Sequence, residues 1–268
     1  MYYDKLLPSI MKINFFLAAV MLCGGPLLHG QKAGTLDPKQ EPLPKAYYHR
    51  ISFGATLSVL GLDMIPGKTS SNVTTSPAVD AIYTTTAGSK RIGFGGVVQL
   101  ALTERFAVNV SLLTRRIGYK MNGDIFTGTD NPTTPTDERK HTVTNEDTRA
   151  KLYDLPIMVQ YYNRDRHAPR LRWFVEGGGV LRRVSDIKTS IDTTINAGTT
   201  SCCTTTPIVP ANRTARGAVA GAGVLFKDDF GIHIVPEFRY TRWLNQTFQS
   251  NSTGIQRNQL EAMVSLTF

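Results

Sequence analysis

Cysteine is scarce. The 268 residues hold three, Cys23, Cys202 and Cys203, and the last two are adjacent. That excludes a disulfide framework and a structural zinc site. Three fates stay open for the vicinal pair: a strained disulfide in an exposed loop, pairing between molecules, or incidental thiols. Long apolar runs are lacking too. Nowhere do about eighteen apolar residues follow one another, which argues against spanning helices, although a membrane barrel needs none. The mean hydropathy of −0.16 is therefore no evidence of solubility. No Gly-x-Ser-x-Gly elbow occurs, and Gly93-x-Gly95-Gly96 and Gly221-x-Gly223 lack the lysine and helix of a phosphate loop. His141 and Ser201 fall in polar stretches with no spacing that ties them together, so no catalytic, cofactor-binding or metal site is expected and the chain is expected not to be an enzyme. Acidic residues are outnumbered, 21 against 30 basic, for a formal charge of +9.

What is present begins with a leader. Residues 1–30 contain MKINFFLAAVMLCGGPLLHG from Met11, with a lysine, a short apolar run and a small residue before Gln31. This reads as a secretory signal peptide cleaved after Gly30, with Met11 as an alternative start. A lipoprotein signal on Cys23 is disfavoured, because Leu22 stands where a small residue is needed. Residues 31–47, with Pro38, Pro42 and Pro44, read as a flexible lead-in. Residues 48–268 form the main domain.

That domain alternates. Side chains on a strand point to opposite faces with period two. In His49–Leu60, Ile51, Phe53, Ala55, Leu57 and Val59 share one face against Ser52, Gly54, Thr56 and Ser58. Similar runs start at Arg91, Phe106, Arg149, Leu171, Ala215, Phe230 and Asn258, which makes eight strands. The run from Phe106 slips phase near Leu113 to Arg116, and a β-bulge there is expected. Connections alternate long and short. The long ones, Asp63–Lys90, Met121–Thr148, Arg183–Thr214 and the shorter Leu244–Arg257, are expected as loops, while Thr103–Arg105, Asn163–Arg170 and Lys227–Asp229 are tight turns. Such alternation predicts an all-β fold, an eight-stranded antiparallel up-and-down barrel.

A soluble lipocalin-like barrel is also eight-stranded, with oily residues inside. Two features favour the transmembrane form. The polar face is rich in Gly, Ser, Thr and Ala and suits a narrow interior. Aromatics gather near strand ends, with Phe53, Phe106, Tyr161, Phe226, Phe230 and Phe268 on one rim and Phe94, Tyr119, Tyr153 and Trp243 nearer the other. The last run is a third feature. Leu260, Ala262, Val264, Leu266 and Phe268 share its apolar face, and the sequence stops on that aromatic. This ending resembles the terminal strand of bacterial outer-membrane β-barrel proteins, and Leu155-Pro156-Ile157 is similar to a pattern in the same families. Over nearly the whole mature chain the resemblance is to OmpA/OmpX-like and PorT-like eight-stranded barrels. It implies an integral outer-membrane protein with both termini and the lead-in in the periplasm. It also implies that Leu260 to Phe268 form an insertion signal for the barrel-assembly machinery.

With the apolar face outward, Arg172, Glu176, Arg182, Glu237, Arg239 and Glu261 point into the barrel. An arginine facing lipid at the midplane would cost about 2–4 kcal/mol, and buried charges must pair. A lumenal network is expected, either purely structural or a gate. Arg91, Arg116, Lys120, Arg149, Arg183, Arg216, Arg242 and Arg257, with Arg115 beside them, fall where strands meet the long loops. They suggest a basic collar facing outer-membrane lipid and lipopolysaccharide phosphates, or ordinary solvated rim charges. Nucleic acid is not an expected partner, because the leader exports the chain and no binding motif occurs. The leading expectation is a structural or surface-interaction role, adhesion or binding of an extracellular ligand or partner protein through the long loops. The alternatives are a narrow pore or solute conduit and a barrel-embedded lipid-modifying enzyme.

Overall fold

A computed structural model describes residues 50–88, 90–165, 171–196, 199–201, 206–228 and 231–268. The leader, the lead-in, Cys23, Cys202, Cys203 and Phe230 lie outside them. Its strands are β1 (Ile51–Leu60), β2 (Lys68–Thr75), β3 (Ala78–Ala87), β4 (Ile92–Ala101), β5 (Phe106–Thr127) and β6 (Lys140–Tyr162). They continue with β7 (Leu171–Ile195), β8 (Thr199–Ser201), β9 (Thr214–Lys227), β10 (His233–Trp243) and β11 (Asn258–Thr267).

Antiparallel pairing runs β5-β4-β1-β11-β10-β9-β7-β6, and β5 pairs with β6 to close the ring. The result is a closed eight-stranded antiparallel barrel. Closure leaves no free edge within the ring, so every barrel strand has its backbone donors and acceptors taken up by two neighbours. Prolines thin the ladder locally. The β5–β6 register has no partners between Val110↔Ile157 and Leu113↔Asp154, the place where Pro156 brings no N–H.

The barrel's outside is apolar around its circumference. Ile51, Phe94, Leu112, Ile157, Phe238 and Val264, from β1, β4, β5, β6, β10 and β11, are all exposed. An apolar band of this extent fits lipid and not water. Aromatics cluster at its short-turn rim, where Phe53 meets Phe268 edge-on at 5.9 Å and Phe106 meets Tyr161 at 5.2 Å.

Three of the four stretches expected as loops are largely strand. β5, β6 and β7 run on for 22, 23 and 25 residues. β2 and β3 form a hairpin that pairs with the far half of β5, and β8 pairs with the end of β7. Beyond the apolar band, these strands make an open sheet in the order β2-β3-β5-β6-β7-β8.

The phase slip expected at Leu113 to Arg116 is not there. Ala107, Asn109, Ser111, Leu113, Arg115, Ile117, Tyr119 and Met121 are all buried in unbroken alternation. What changes is chemistry. Past Leu113 the inner face becomes mainly apolar and the outer face polar, because the strand has left the apolar band. The bulge lies instead on β7, where the register to β6 shifts between Arg149 and Lys151 and Asp186 takes φ +50°. Aspartate tolerates that left-handed conformation better than most residues do.

Candidate functional site

The lumen is built from inward side chains that cross from strand to strand, and the crossing depends on glycine. On β9, Gly221 is paired with Glu176 of β7 on one side and with Arg239 of β10 on the other. With no side chain between them, Arg239 Nε reaches Glu176 Oε1 at 2.9 Å. Gly93 plays the same part on β4, between Ser58 of β1 and Arg115 of β5. Arg115 crosses it to donate from Nη2 to Ser58 Oγ at 2.9 Å and to bond Glu261 on β11.

Two ionic layers result. In the first, Arg239 serves both Glu176 and Glu237, while Gln160 Nε2 donates to Glu176 Oε2 at 2.9 Å and Gln99 Nε2 to Gln160 Oε1 at 2.8 Å. In the second, Arg182 holds Asp154 through two bonds of 2.6 and 2.8 Å, and Asp154 also lies 4.0 Å from Arg115. Arg182 further donates to Gln259 Oε1 at 3.0 Å and lies 3.9 Å from the ring centre of Trp243, whose Nε1 donates to the same Gln259 oxygen. A forked guanidinium on a carboxylate, capped by an aromatic face, is a favourable way to hold a buried charge.

Apolar layers separate and close these. Toward the short turns, Ala107, Tyr162, Phe174, Leu225 and Val235 pack together, and Arg172 lies over the Tyr162 ring at 4.5 Å. Between the ionic layers sit Met158, Val180, Ala215, Val219 and Trp243. At the long-hairpin end the connecting segments fold into the mouth. Met64 and Ile65 follow β1, Val209 precedes β9, and Phe248 and Ile255 come from the turn before β11. They pack on Leu60, Ile117, Tyr119, Met121 and Leu152, with Phe248 edge-on to Tyr119 at 5.8 Å.

A buried carboxylate pins this plug. Glu146 accepts from Tyr119 OH and Thr148 Oγ1, each at 2.5 Å, and from the backbone N–H of Ile208 at 3.2 Å. Burial, and then the neighbouring carboxylate, push the Tyr119 phenol well above its usual range, so it stays a donor. Glu146→Ala would strand these donors inside an apolar cluster, at about 1–3 kcal/mol. We expect the segment 206–212 to open more often and trypsin to cleave after Arg213 about tenfold faster, read by a cleavage time course on the folded protein. An unchanged rate would mean that the plug is held by its apolar contacts alone.

Of the sequence-assigned lumenal residues, Glu176, Arg182, Glu237, Arg239 and Glu261 are buried inside, and Arg172 is half-buried a layer lower. Glu261 pairs with Arg115 and Arg182 with Asp154, so the network is not centred on Arg239 alone. Arg115, placed by sequence in the collar, is lumenal and 2% exposed. Tyr119 and Trp243, placed in an aromatic girdle, are also inside. Their alternation with Ser111 and with Arg239 was the available signal. Asp154 and Glu146 are not singled out by the sequence, although both share parity with Gln160, while Ser58 and Gln259 fall on the polar faces of their runs without revealing their arginine partners.

The collar residues Arg91, Arg116, Lys120, Arg149, Arg183, Arg216, Arg242 and Arg257 are all exposed on the outside. Acids interleave with them. Asp63 takes two 2.9 Å bonds from Arg91, which hold its carboxyl below the usual range, Asp147 pairs with Arg149 at 3.0 Å, and Asp186 pairs with Lys151 at 2.7 Å. Arg116 stands directly opposite Lys151 on the outer face.

Residues 36–249 match the family model described as the outer membrane protein β-barrel domain. The chain belongs to this family. Membership makes it an integral protein of the outer membrane, and its apolar band is the lipid-facing surface. No curated protein matches the chain. Among solved structures it is similar to Ail, the attachment invasion locus protein of Yersinia pestis, in complex with the heparin analogue sucrose octasulfate. The identity is 11%, the TM-score 0.32, and 81% of this chain and 96% of that one are covered. A second structure of Ail gives 10% identity, a TM-score of 0.31 and the same coverage. LpxR from Salmonella typhimurium gives 10% identity and a TM-score of 0.28, covering 81% of this chain and 99% of that one.

Proposed function

We propose that this family member is a filled membrane anchor that binds a partner outside the cell through its protruding sheet, and that it neither conducts nor catalyses. The observation that carries this reading is the closure of the lumen by alternating ionic and apolar layers under a plug, together with an unblunted sheet edge beyond the apolar band. Among the described residues β2 pairs only with β3, carries no proline or bulge within Lys68–Thr75, and exposes Val73. Soluble proteins usually protect such an edge, and an extended segment of a partner chain can add to it as a further strand. In this reading the termini and short turns face the periplasm, where assembly machinery meets the last strand, and the long hairpins face outward. Arg116, opposite Lys151, and Arg183, diagonal to Lys151 across the β6–β7 ladder, would lie at headgroup level. There a lipid phosphate would add to Asp186, which already pairs with Lys151, in easing the like charges.

Two measurements test it together. Inserted in a planar bilayer, the mature protein is expected to be electrically silent. Displayed on a non-adherent bacterium, it is expected to raise adherence to host-cell or matrix surfaces, and replacing residues 68–87 by a short turn should cut that gain about tenfold. Discrete channel openings, or undiminished adherence without the hairpin, would each overturn the reading.

A further inference from the structure

At the long-hairpin end, β2, β3, β5, the segment before β9 and the turn before β11 border a half-open cavity of about 140 Å³. Part of its lining is polar and uncharged, Ser70 and Asn72 from β2 and Ser250, Asn251 and Ser252 from the turn before β11. The rest is apolar, made by Tyr83, Met121, Ile208 and Val209. With no charged side chain among these lining residues, the cavity has nothing to neutralise a phosphate, a sulfate or a divalent cation.

The hydroxyls keep spare capacity. Ser70 Oγ has no hydrogen-bond partner, and because it is closed to solvent as it stands, a change of rotamer is needed to turn it into the cavity. Ser250 Oγ accepts the backbone N–H of Ser252 at 3.3 Å and of Thr253 at 3.0 Å, which leaves its O–H, and Ser252 Oγ donates to the Met121 thioether at 3.5 Å, which leaves its lone pairs. Tyr83 is set in place by its neighbour. It stands opposite Gly123, where a Cβ would come within 3.0 Å of the ring, so the missing side chain lets the ring lie over β5.

Hydroxyls and amides that both donate and accept, facing an aromatic and aliphatic wall, suit a ligand with a hydroxylated rim and a C–H face. A neutral sugar ring is such a ligand. The volume is under half the roughly 300 Å³ of the smallest drug-sized pockets, so it takes one ring and no more. Asn72, Ser250 and Asn251 are exposed, so the rest of a glycan can leave through the rim. We propose that this cavity is a subsite for the terminal pyranose of a neutral glycan. It lies apart from the β2 backbone edge and goes beyond the strand-addition reading. Because it is measured on the isolated barrel, either idea can fail while the other stands.

The test uses refolded protein in an amine-oxide detergent, since alkyl-glycoside detergents would themselves offer the ligand. The probes are methyl glucoside, galactoside and mannoside and N-acetylglucosamine, followed by saturation-transfer NMR with titration. At least one should bind weakly, with Kd about millimolar, and binding should be indifferent to added salt because no charge takes part. Ser70→Ala and Asn72→Ala, each first shown to keep heat-modifiable gel migration, should each weaken binding about fivefold. No signal from any probe, binding abolished by salt, or binding unchanged in both variants would overturn the proposal. Asn72 is exposed on the edge strand, so its variant keeps the test decisive even if Ser70→Ala fails to fold.

Discussion

Arg239→Ala is expected to destabilise the barrel by about 3–5 kcal/mol, because it removes the guanidinium that serves two buried carboxylates and leaves both in place. Glu176 and Glu237 are each almost wholly buried, and both are ion-paired with Arg239. Without it they face each other in a medium that screens poorly. Gln160 still donates to Glu176, and that neutral bond offsets only part of the loss. Urea unfolding in lipid vesicles, followed by tryptophan fluorescence, measures the change. The second half of the expectation concerns rescue. Adding Glu237→Gln to Arg239→Ala should recover a substantial part of the loss by removing one of the stranded charges. If the single variant is as stable as the parent, the ionic layer is not holding the barrel. If the double variant is no better than the single, charge is not the reason the single variant fails.

Gly221→Val is expected to block folding, so that the refolded sample shows no heat-modifiable band. A Cβ at this position would lie 2.7 Å from Glu176 Oε1 and 2.9 Å from the backbone oxygen of Phe238. The carboxylate can swing aside, but the Phe238 oxygen belongs to the barrel wall and cannot yield without breaking the ladder to β10. Gly221→Ala meets the same wall with one carbon and should cost about 1–3 kcal/mol. Gly177 is the control. There a Cβ would meet only the Val219 backbone oxygen, at 3.9 Å, so Gly177→Ala should change little. Equal tolerance at both positions would mean that the crossing of Arg239 over β9 does not depend on an empty position.

Both expectations rest on positions that the sequence exposes unevenly. Alternation in β7, β10 and β11 puts Glu176, Arg239 and Glu261 on one inner face, and the lumen holds them there. It fails for Arg115 and Tyr119 for a physical reason. A strand that spans a membrane is apolar outside and polar inside, and the same strand continuing into water needs the opposite. β5 does both without a break, so a constant geometry looks like a change of phase. Pairings are less legible still. Which carboxylate Arg115 meets depends on an empty place at Gly93 and on β11 closing against β1, a contact between the two ends of the domain. The apolar plug was hidden because Met64, Ile65, Val209, Phe248 and Ile255 are scattered singly or in adjacent pairs through polar stretches with no period to reveal them. The sugar-sized cavity depends on that plug and was equally invisible.

The reversal along β5 has a consequence for handling the molecule. The lower barrel presents its greasy surface to the bilayer, so its integrity depends on the amphiphile that surrounds it. The upper portion keeps its oily residues inward, around Tyr119 and Phe248, and shows water a polar exterior. It is in effect a small aqueous protein sharing its strands with a membrane one. Exchange of lipid for detergent therefore acts on one portion of a single hydrogen-bonded sheet, and salt or proteases act on the other.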